Sequence, residues 1–247
     1  MKHTGLLVAM ILAGSIFCKA QTDSYLHTRY TIEQIASNSG IYNSASIKAI
    51  GSTLPPGTIG DVYLTKNFNI SVFQLYEKDQ LVEGFFSKLD LKNNEFDIQT
   101  KGGVKVLEGN LVKSFIFDDS ITRIRHSFVN AKEWKTKEDG TLLGFFEILA
   151  EGKITLAGYT ELEFIKANYN AAKHVGSKDN KYVKNLKHYA VINQVATPLP
   201  KRKSLFDIFG ERKDELQKYS EEHSLNLKNT LDLIRLFDYY NQSGTGK

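Results

Sequence analysis

The side chains that could carry chemistry are few and scattered. The chain has 247 residues, and its only sulfur atoms are in Met1, Met10 and Cys18. After Lys19 there is no thiol nucleophile, cysteine zinc site, iron–sulfur cluster or disulfide framework. His27, His126, His174, His188 and His223 follow the first 20 residues, and no two lie within four positions of each other. A local histidine metal site needs closer spacing. No G-x-S-x-G elbow, H-E-x-x-H, calcium-loop, P-loop or G-x-G-x-x-G pattern occurs. The expectation is no catalytic residue, no metal ligand and no cofactor. A site assembled from distant segments is the one route to an enzyme, because triads are defined by geometry.

Several residues still merit a functional reading beside a plainer one. Asp118-Asp119 could do acid–base work, but between Phe117 and Ile121 such a pair is what a turn uses. His126 shares a strand face with Ile124 and Phe128, the position of a satisfied boundary histidine. Arg123 and Arg125 fall on the other face with Ile121, where two guanidiniums could hold an anionic group or pair with acids on the next strand. Trp134, the single Trp, sits in the polar loop Lys132-Glu133-Trp134-Lys135. It reads either as an exposed contact or as a ring folded back onto the sheet. Lys201-Arg202-Lys203 could meet anionic lipid or an acidic partner, although three charges in a linker are usually just solvated. The candidate binding contacts are therefore Trp134, Arg123 and Arg125.

These residues hang on a β framework. The four prolines lie in Pro55-Pro56 and in Pro198-Leu199-Pro200, and none lies between. Proline is kept out of central strands because it has no N–H for the ladder. The intervening stretch is rich in Val, Ile, Phe, Tyr and Thr and is broken by Gly, Asn and Asp, as short strands would be. Phe68, Ile70 and Val72 alternate with polar residues, then the phase shifts to Phe73 and Leu75, which predicts a bulge. Leu89 and Leu91, then Asn93-Asn94, then Phe96 and Ile98 predict a hairpin. Gly102-Gly103 predicts the next reversal, and Val104–Leu107 with Leu111–Phe117 a hairpin about Gly109-Asn110. Strands are expected over Ile121–Val129, Leu142–Ala150, Lys153–Ile165 and Tyr182–Val195. The matched Gly84-Phe85-Phe86 and Gly144-Phe145-Phe146 read as coincidence, since repeats show more than one matched block.

The ends differ from the body. Met1-Lys2-His3 is basic, Gly5 to Phe17 is apolar or small, and Cys18-Lys19-Ala20 places small residues for a cut before Gln21. This order predicts a signal peptide over residues 1–20, and the run is too short to span a bilayer. Lipid attachment at Cys18 is not expected, because Phe17 stands where a small residue is wanted. The cut removes Lys2 and Lys19 and no acid, so the formal charge falls from +4 to +2. That weak basicity, without a basic patch, argues against nucleic acid. A short helix is expected over Thr31 to Ser37 and an uncertain strand near Ile47. After Pro200, Ser204 is a candidate N-cap for a first helix, and Thr230 for a last helix bearing Leu231, Ile234 and Phe237. Such amphipathic helices must cover a sheet face or edge, or fill a partner's groove.

A resemblance runs through most of the chain after residue 20. It is carried by Lys19-Ala20-Gln21, the Gly60-to-Phe73 opening, Leu89-Asp90-Leu91 and Leu149-Ala150-Glu151-Gly152-Lys153. The ending from Leu199-Pro200-Lys201 through Tyr239-Tyr240-Asn241 belongs to it too. In these segments the chain resembles a group of exported periplasmic or envelope proteins of Bacteroidota-type bacteria. The resemblance implies a Gram-negative envelope setting and carries over no catalytic residue.

The sequence thus predicts a mainly β protein, an antiparallel meander forming a curved sheet, sandwich or open barrel, with a short C-terminal α-helical segment. Its expected organisation is a signal peptide (1–20), a β-rich domain (21–197), a helical segment packed on it (198–241) and a polar tail (242–247). The functional expectation is a non-enzymatic protein of the periplasm or cell envelope that binds another macromolecule, such as an envelope protein or an outer-membrane assembly. The alternative is a carrier of lipid or a small apolar ligand in a cavity of the sheet, and the third reading is an enzyme with a dispersed site. No transmembrane helix is expected after the signal peptide.

Overall fold

The computed structural model describes residues 54–101, 103–136 and 142–242, together with the backbone of Tyr42–Asn43. The expected signal peptide, the short helix expected over Thr31 to Ser37, the strand expected near Ile47 and the end of the polar tail lie outside the described residues. The chain is mainly β, built as one large, open, predominantly antiparallel sheet. Its strands are β1 (Tyr42–Asn43), β2 (Thr58–Ile59), β3 (Asn69–Leu75), β4 (Leu81–Asp90), β5 (Glu95–Thr100), β6 (Gly103–Glu108), β7 (Val112–Asp118), β8 (Arg125–Asn130) and β9 (Lys135–Thr136). β10 (Phe145–Ala150), β11 (Thr155–Ile165), β12 (Asn180–Ile192) and β13 (Val195–Pro198) follow. Their order across the sheet is β1-β6-β5-β4-β3-β7-β8-β10-β11-β12-β13-β9, with β2 beside β12.

The hairpin at Asn93-Asn94 forms as expected, pairing Leu89 with Phe96 and Ser87 with Ile98. Asn94 takes the positive φ of the turn, and the Asp90 carboxylate accepts the Lys92 and Asn93 N–H groups. The bulge beside β3 also forms, but the extra residue is Gly84 of β4, whose φ of +81° suits only glycine without cost. The buried phase of β3 runs through Asn69, Ser71, Phe73 and Leu75, so the apolar Ile70 and Val72 face outward. The two buried polar residues are satisfied: the Ser71 and Ser87 hydroxyls lie 2.7 Å apart, and the Asn69 Oδ1 accepts the Ser120 N–H.

The hairpin expected about Gly109-Asn110 does not form. β6 pairs with β5 and β1, whereas β7 pairs with β3 and β8. Three residues, Gly109–Leu111, join strands separated by four strand spacings in the sheet order. Flat, those spacings add to about 19 Å sideways, whereas such a link reaches about 14 Å at full stretch. The sheet must therefore curl. The turn is fixed on both sides: Gly109 donates to the Asn94 carbonyl, and the buried Asn130 carboxamide donates to the Gly109 and Val112 carbonyls. Inside the curl lies an aromatic core, with the Phe96 ring centroid 4.9 Å from Phe73, 4.8 Å from Phe115 and 5.4 Å from Phe145. Rings from β3, β5, β7 and β10 meet there, as only a curled sheet allows.

Two further expectations are corrected. The strand foreseen over Ile121–Val129 starts only at Arg125, because Asp119 to Ile124 form a turn in which the Asp119 carboxylate accepts the Ile121 and Thr122 N–H groups. The strand foreseen over Tyr182–Val195 breaks at Asn193-Gln194, both at positive φ, which makes a tight hairpin into β13.

The C-terminal segment comprises 3-10 turns over Arg202–Arg212, then α1 (Lys213–Glu222) and α2 (Thr230–Gln242). Ser204 does not cap: its hydroxyl donates to the Lys201 carbonyl. Asn229 rather than Thr230 caps α2, accepting the Leu231 and Asp232 N–H groups. The helices cover a sheet face, not an edge. Leu205, Phe206, Phe209, Leu216, Leu233, Leu236 and Phe237 pack on Ala150, Ile154, Leu156 and Ala190. At the end of α2 the Asn241 side chain accepts the Ile154 N–H and donates to the Ile154 carbonyl, fastening the helix to the β10–β11 turn.

Candidate binding site

Beyond its pairing with β10, which ends at Tyr159, β11 runs on with β12 as a two-stranded arm. The register places Thr160, Leu162 and Phe164 on one face of the arm with Leu186, Lys184 and Tyr182. The chain from Pro55 to Leu64 straps this arm to the curl. β2 lies parallel to Asn180–Lys181, while Leu64 donates to the Leu89 carbonyl and Leu91 to the Val62 carbonyl. Lys184 fastens the strap, its Nζ 3.1 Å from Asp61 Oδ2 and 2.7 Å from the Tyr63 carbonyl. Gly60, at φ +110°, passes so close that a side chain there would collide with the Tyr182 carbonyl.

Strap, arm and curl enclose a cleft of about 330 Å³. Leu89, Phe128 and Phe145 form its floor, Leu64 and Leu91 one wall, and Leu162 and Tyr182 the other. Such a size and lining lie at the small end of ligand pockets. Polar groups gather on the rim: Lys92, Asn93 and Asn94 from the β4–β5 turn, and Glu161 from the arm. Glu161 is paired with Lys187 at 3.2 Å, and Tyr159 donates to the Leu143 carbonyl at 2.6 Å. Burial, then the neighbouring Glu161 carboxylate, pushes the Tyr159 phenol above its ordinary pKa, so it stays a neutral donor.

The residues singled out in the sequence lie elsewhere. Trp134 follows a 3-10 turn over Ala131–Glu133 and is half-buried. Its ring lies 5.0 Å from Phe146, in a cluster with Ala131 and Tyr189 on the sheet face opposite the floor. Arg125 grips Asp118 with both ends of its guanidinium, at 2.7 and 3.0 Å, and so holds that carboxyl below the usual range. Arg123 stands at φ +62° in the turn before β8, not on the strand. The two arginines do come together, bordering an open hollow of about 620 Å³ on the outer face with Ile70, Phe86, Asp118 and Ser120. His126 is half-buried, stacked on Phe117 and 2.6 Å from Glu147 Oε1. Among the described residues no group of three or more His, Cys, Asp or Glu side chains could hold a metal ion, and no helix is long and apolar enough to cross a membrane.

The cleft residues are not evident in the sequence because they come from six separated segments. The nearest signal was the alternation Leu162-Glu163-Phe164, which marks a strand but does not say what its apolar side faces. No protein-family model, curated protein or solved structure matches the chain.

Proposed function

We propose that the protein is a non-enzymatic binding protein that holds a lipid or small apolar ligand in the cleft beneath the β11–β12 arm. One observation carries this reading: apolar side chains from strap, curl and arm converge on one concave surface, with Thr160 and a few charged or amide groups beside them. The basic, apolar and small-residue order of residues 1–20 supports a site of action in the periplasm or cell envelope. The test is to purify the protein from native envelope without detergent, then denature it and analyse the released material by mass spectrometry. A stoichiometric lipid or other apolar molecule is expected. Ligand-free protein that also fails to bind the neutral fluorophore N-phenylnaphthylamine would overturn the proposal.

A second reading, attachment to another envelope macromolecule, is favoured by a different surface. Phe86, Ile70, Asp118 and Arg125 stand side by side across β4, β3, β7 and β8 on the outer face. Phe86 and Ile70 are each about half exposed, and Ile121 and Ile124 project from the neighbouring turn. Under this reading Phe86→Asp releases a co-purifying protein and Leu162→Asp does not. Under the cleft reading only Leu162→Asp releases the bound ligand.

A further inference from the structure

We infer that the ligand is an amphiphile with an anionic head group, one apolar tail in the cleft and its head at Lys92. This rests on the cleft being the working site, as proposed above. The cations around the arm are not equivalent. Lys184 is held by Asp61 and the Tyr63 carbonyl, and Lys187 by Glu161. Lys92, exposed on the rim, has no carboxylate partner among the described residues, and its Nζ stands 5.7 Å from the centre of the Tyr182 ring. Beside it the Asn94 carboxamide, also on the rim, makes no side-chain hydrogen bond among the described residues. An ammonium with no carboxylate partner, which only donates, and a carboxamide, which can donate through its N–H₂, thus belong to one turn at the opening.

The rest of the lining argues for the same polarity. Glu161, its one acid, is neutralised by Lys187. The turn that carries Lys92 is rigid, since the Asp90 carboxylate accepts from the Lys92 N–H, the Asn93 N–H and the Asn93 side chain. The backbone of Lys92 is therefore fixed at the mouth, with the apolar floor behind it. An apolar tail entering between Leu91 and Leu162 leaves a carboxylate or phosphate within reach of Lys92. A cationic head would meet an unneutralised like charge.

The test uses the full chain, stripped of bound lipid, and competition against N-phenylnaphthylamine by dodecanoate, dodecanol and dodecyltrimethylammonium below their micelle concentrations. Dodecanoate is expected to bind about fivefold tighter than dodecanol, the scale of one exposed ion pair, and the ammonium amphiphile weakest. Lys92→Gln should bring dodecanoate to the level of dodecanol and leave dodecanol unchanged. Equal binding of all three by the wild type overturns the head-group inference and leaves the cleft as a ligand site. Failure of all three, with N-phenylnaphthylamine also unbound, overturns both. Sedimentation with phosphatidylglycerol vesicles then separates the sources: co-sedimentation lost in Lys92→Gln assigns the head group to a bilayer lipid. A protein that binds dodecanoate but stays in the supernatant assigns it to a free fatty acid.

Discussion

The two halves of the sheet bury their apolar faces by different means. From β3 to β8 the sheet curls, and its inner face meets itself through phenylalanine rings. From β10 to β13 the sheet carries helices on one face and, on the other, a cluster built on Phe146 and Tyr189. β10 joins the two schemes, because Phe145 points into the curl and Phe146 into the opposite cluster. Large rings suit the curl, where strands approach from several sides and edge-to-face packing fills the space. Helices suit the flatter half, which has no second sheet layer to cover it. Where neither solution operates, on the β11–β12 arm, apolar side chains such as Phe164 and Leu186 stay nearly half exposed. The cleft lies at this boundary.

The sharpest way to break the comparison is to cut one core at a time. Phe96→Ala in the curl and Phe237→Ala under the helices should each cost about 3–5 kcal/mol, since both rings are fully buried. If β10 couples the halves into one cooperative unit, urea unfolding followed by circular dichroism shows a single transition lowered by either variant. Two transitions, each moved by only one variant, would make the halves independent.

The link between helices and sheet comes next in size. Asn241→Ala leaves the Ile154 backbone groups without the side chain that serves them and should cost about 1–2 kcal/mol. Hydrogen exchange should quicken in α2 and the β10–β11 turn and remain slow in β5 and β7. Quickening in the curl as well would mean that the helices stabilise both halves.

A smaller effect should appear on acidification. His188 lies half-buried between sheet and helices, its Nε2 3.1 Å from the Thr230 hydroxyl, and burial lowers its pKa below the ordinary 6.5. The unfolded chain then takes the proton first, so stability is retained above about pH 6.5 and declines as the pH falls below it. Stability curves at pH 7.5 and 5 should show the decline, and His188→Gln should flatten it.

The smallest effect belongs to Glu215 on α1. Arg212, through a bidentate contact, and then the Tyr239 hydroxyl hold its carboxyl at about 2. A lowered folded-state pKa contributes stability above the ordinary 4.5 that is lost as the pH falls toward 2. Glu215 is exposed and Arg212 partly so, and solvent screening leaves Glu215→Gln costing only about 0.5 kcal/mol at pH 7. A difference that persists at pH 2 would show that the carboxylate charge is not its source.

Where the chain is locally patterned, the sequence announces the fold. The Asn93-Asn94 turn, the Asp118-Asp119 turn and the helical ending are all readable because side-chain type and backbone geometry coincide there. The buried phase of β3 was not readable. Its outward Ile70 and Val72 are more apolar than the inward Asn69 and Ser71, and periodicity cannot tell which face is the core when both carry apolar residues. The β6–β7 link was misread for a related reason: Gly109-Asn110 has the composition of a hairpin, and only the global curl makes it a bridge between distant strands. The candidate site was least legible. Lys92 is an ordinary turn lysine until Leu64, Leu162 and Tyr182 arrive beside it from elsewhere in the chain.

The arm has one more consequence, and it concerns how copies of this chain avoid one another. Among the described residues, positions 160–165 of β11 pair only with β12, so a run of six residues leaves its other flank open to any strand that approaches. Such a flank invites self-templated stacking, particularly with Phe164 and Ile165 at its end. Glu163, exposed and without an ion-pair partner among the described residues, interrupts this flank, while Glu161 is already paired with Lys187. A carboxylate on an open flank disfavours the approach of a like-charged strand without costing the monomer anything in its own core. The apolar face that borders the cleft and the device that guards the edge thus lie on opposite sides of one strand.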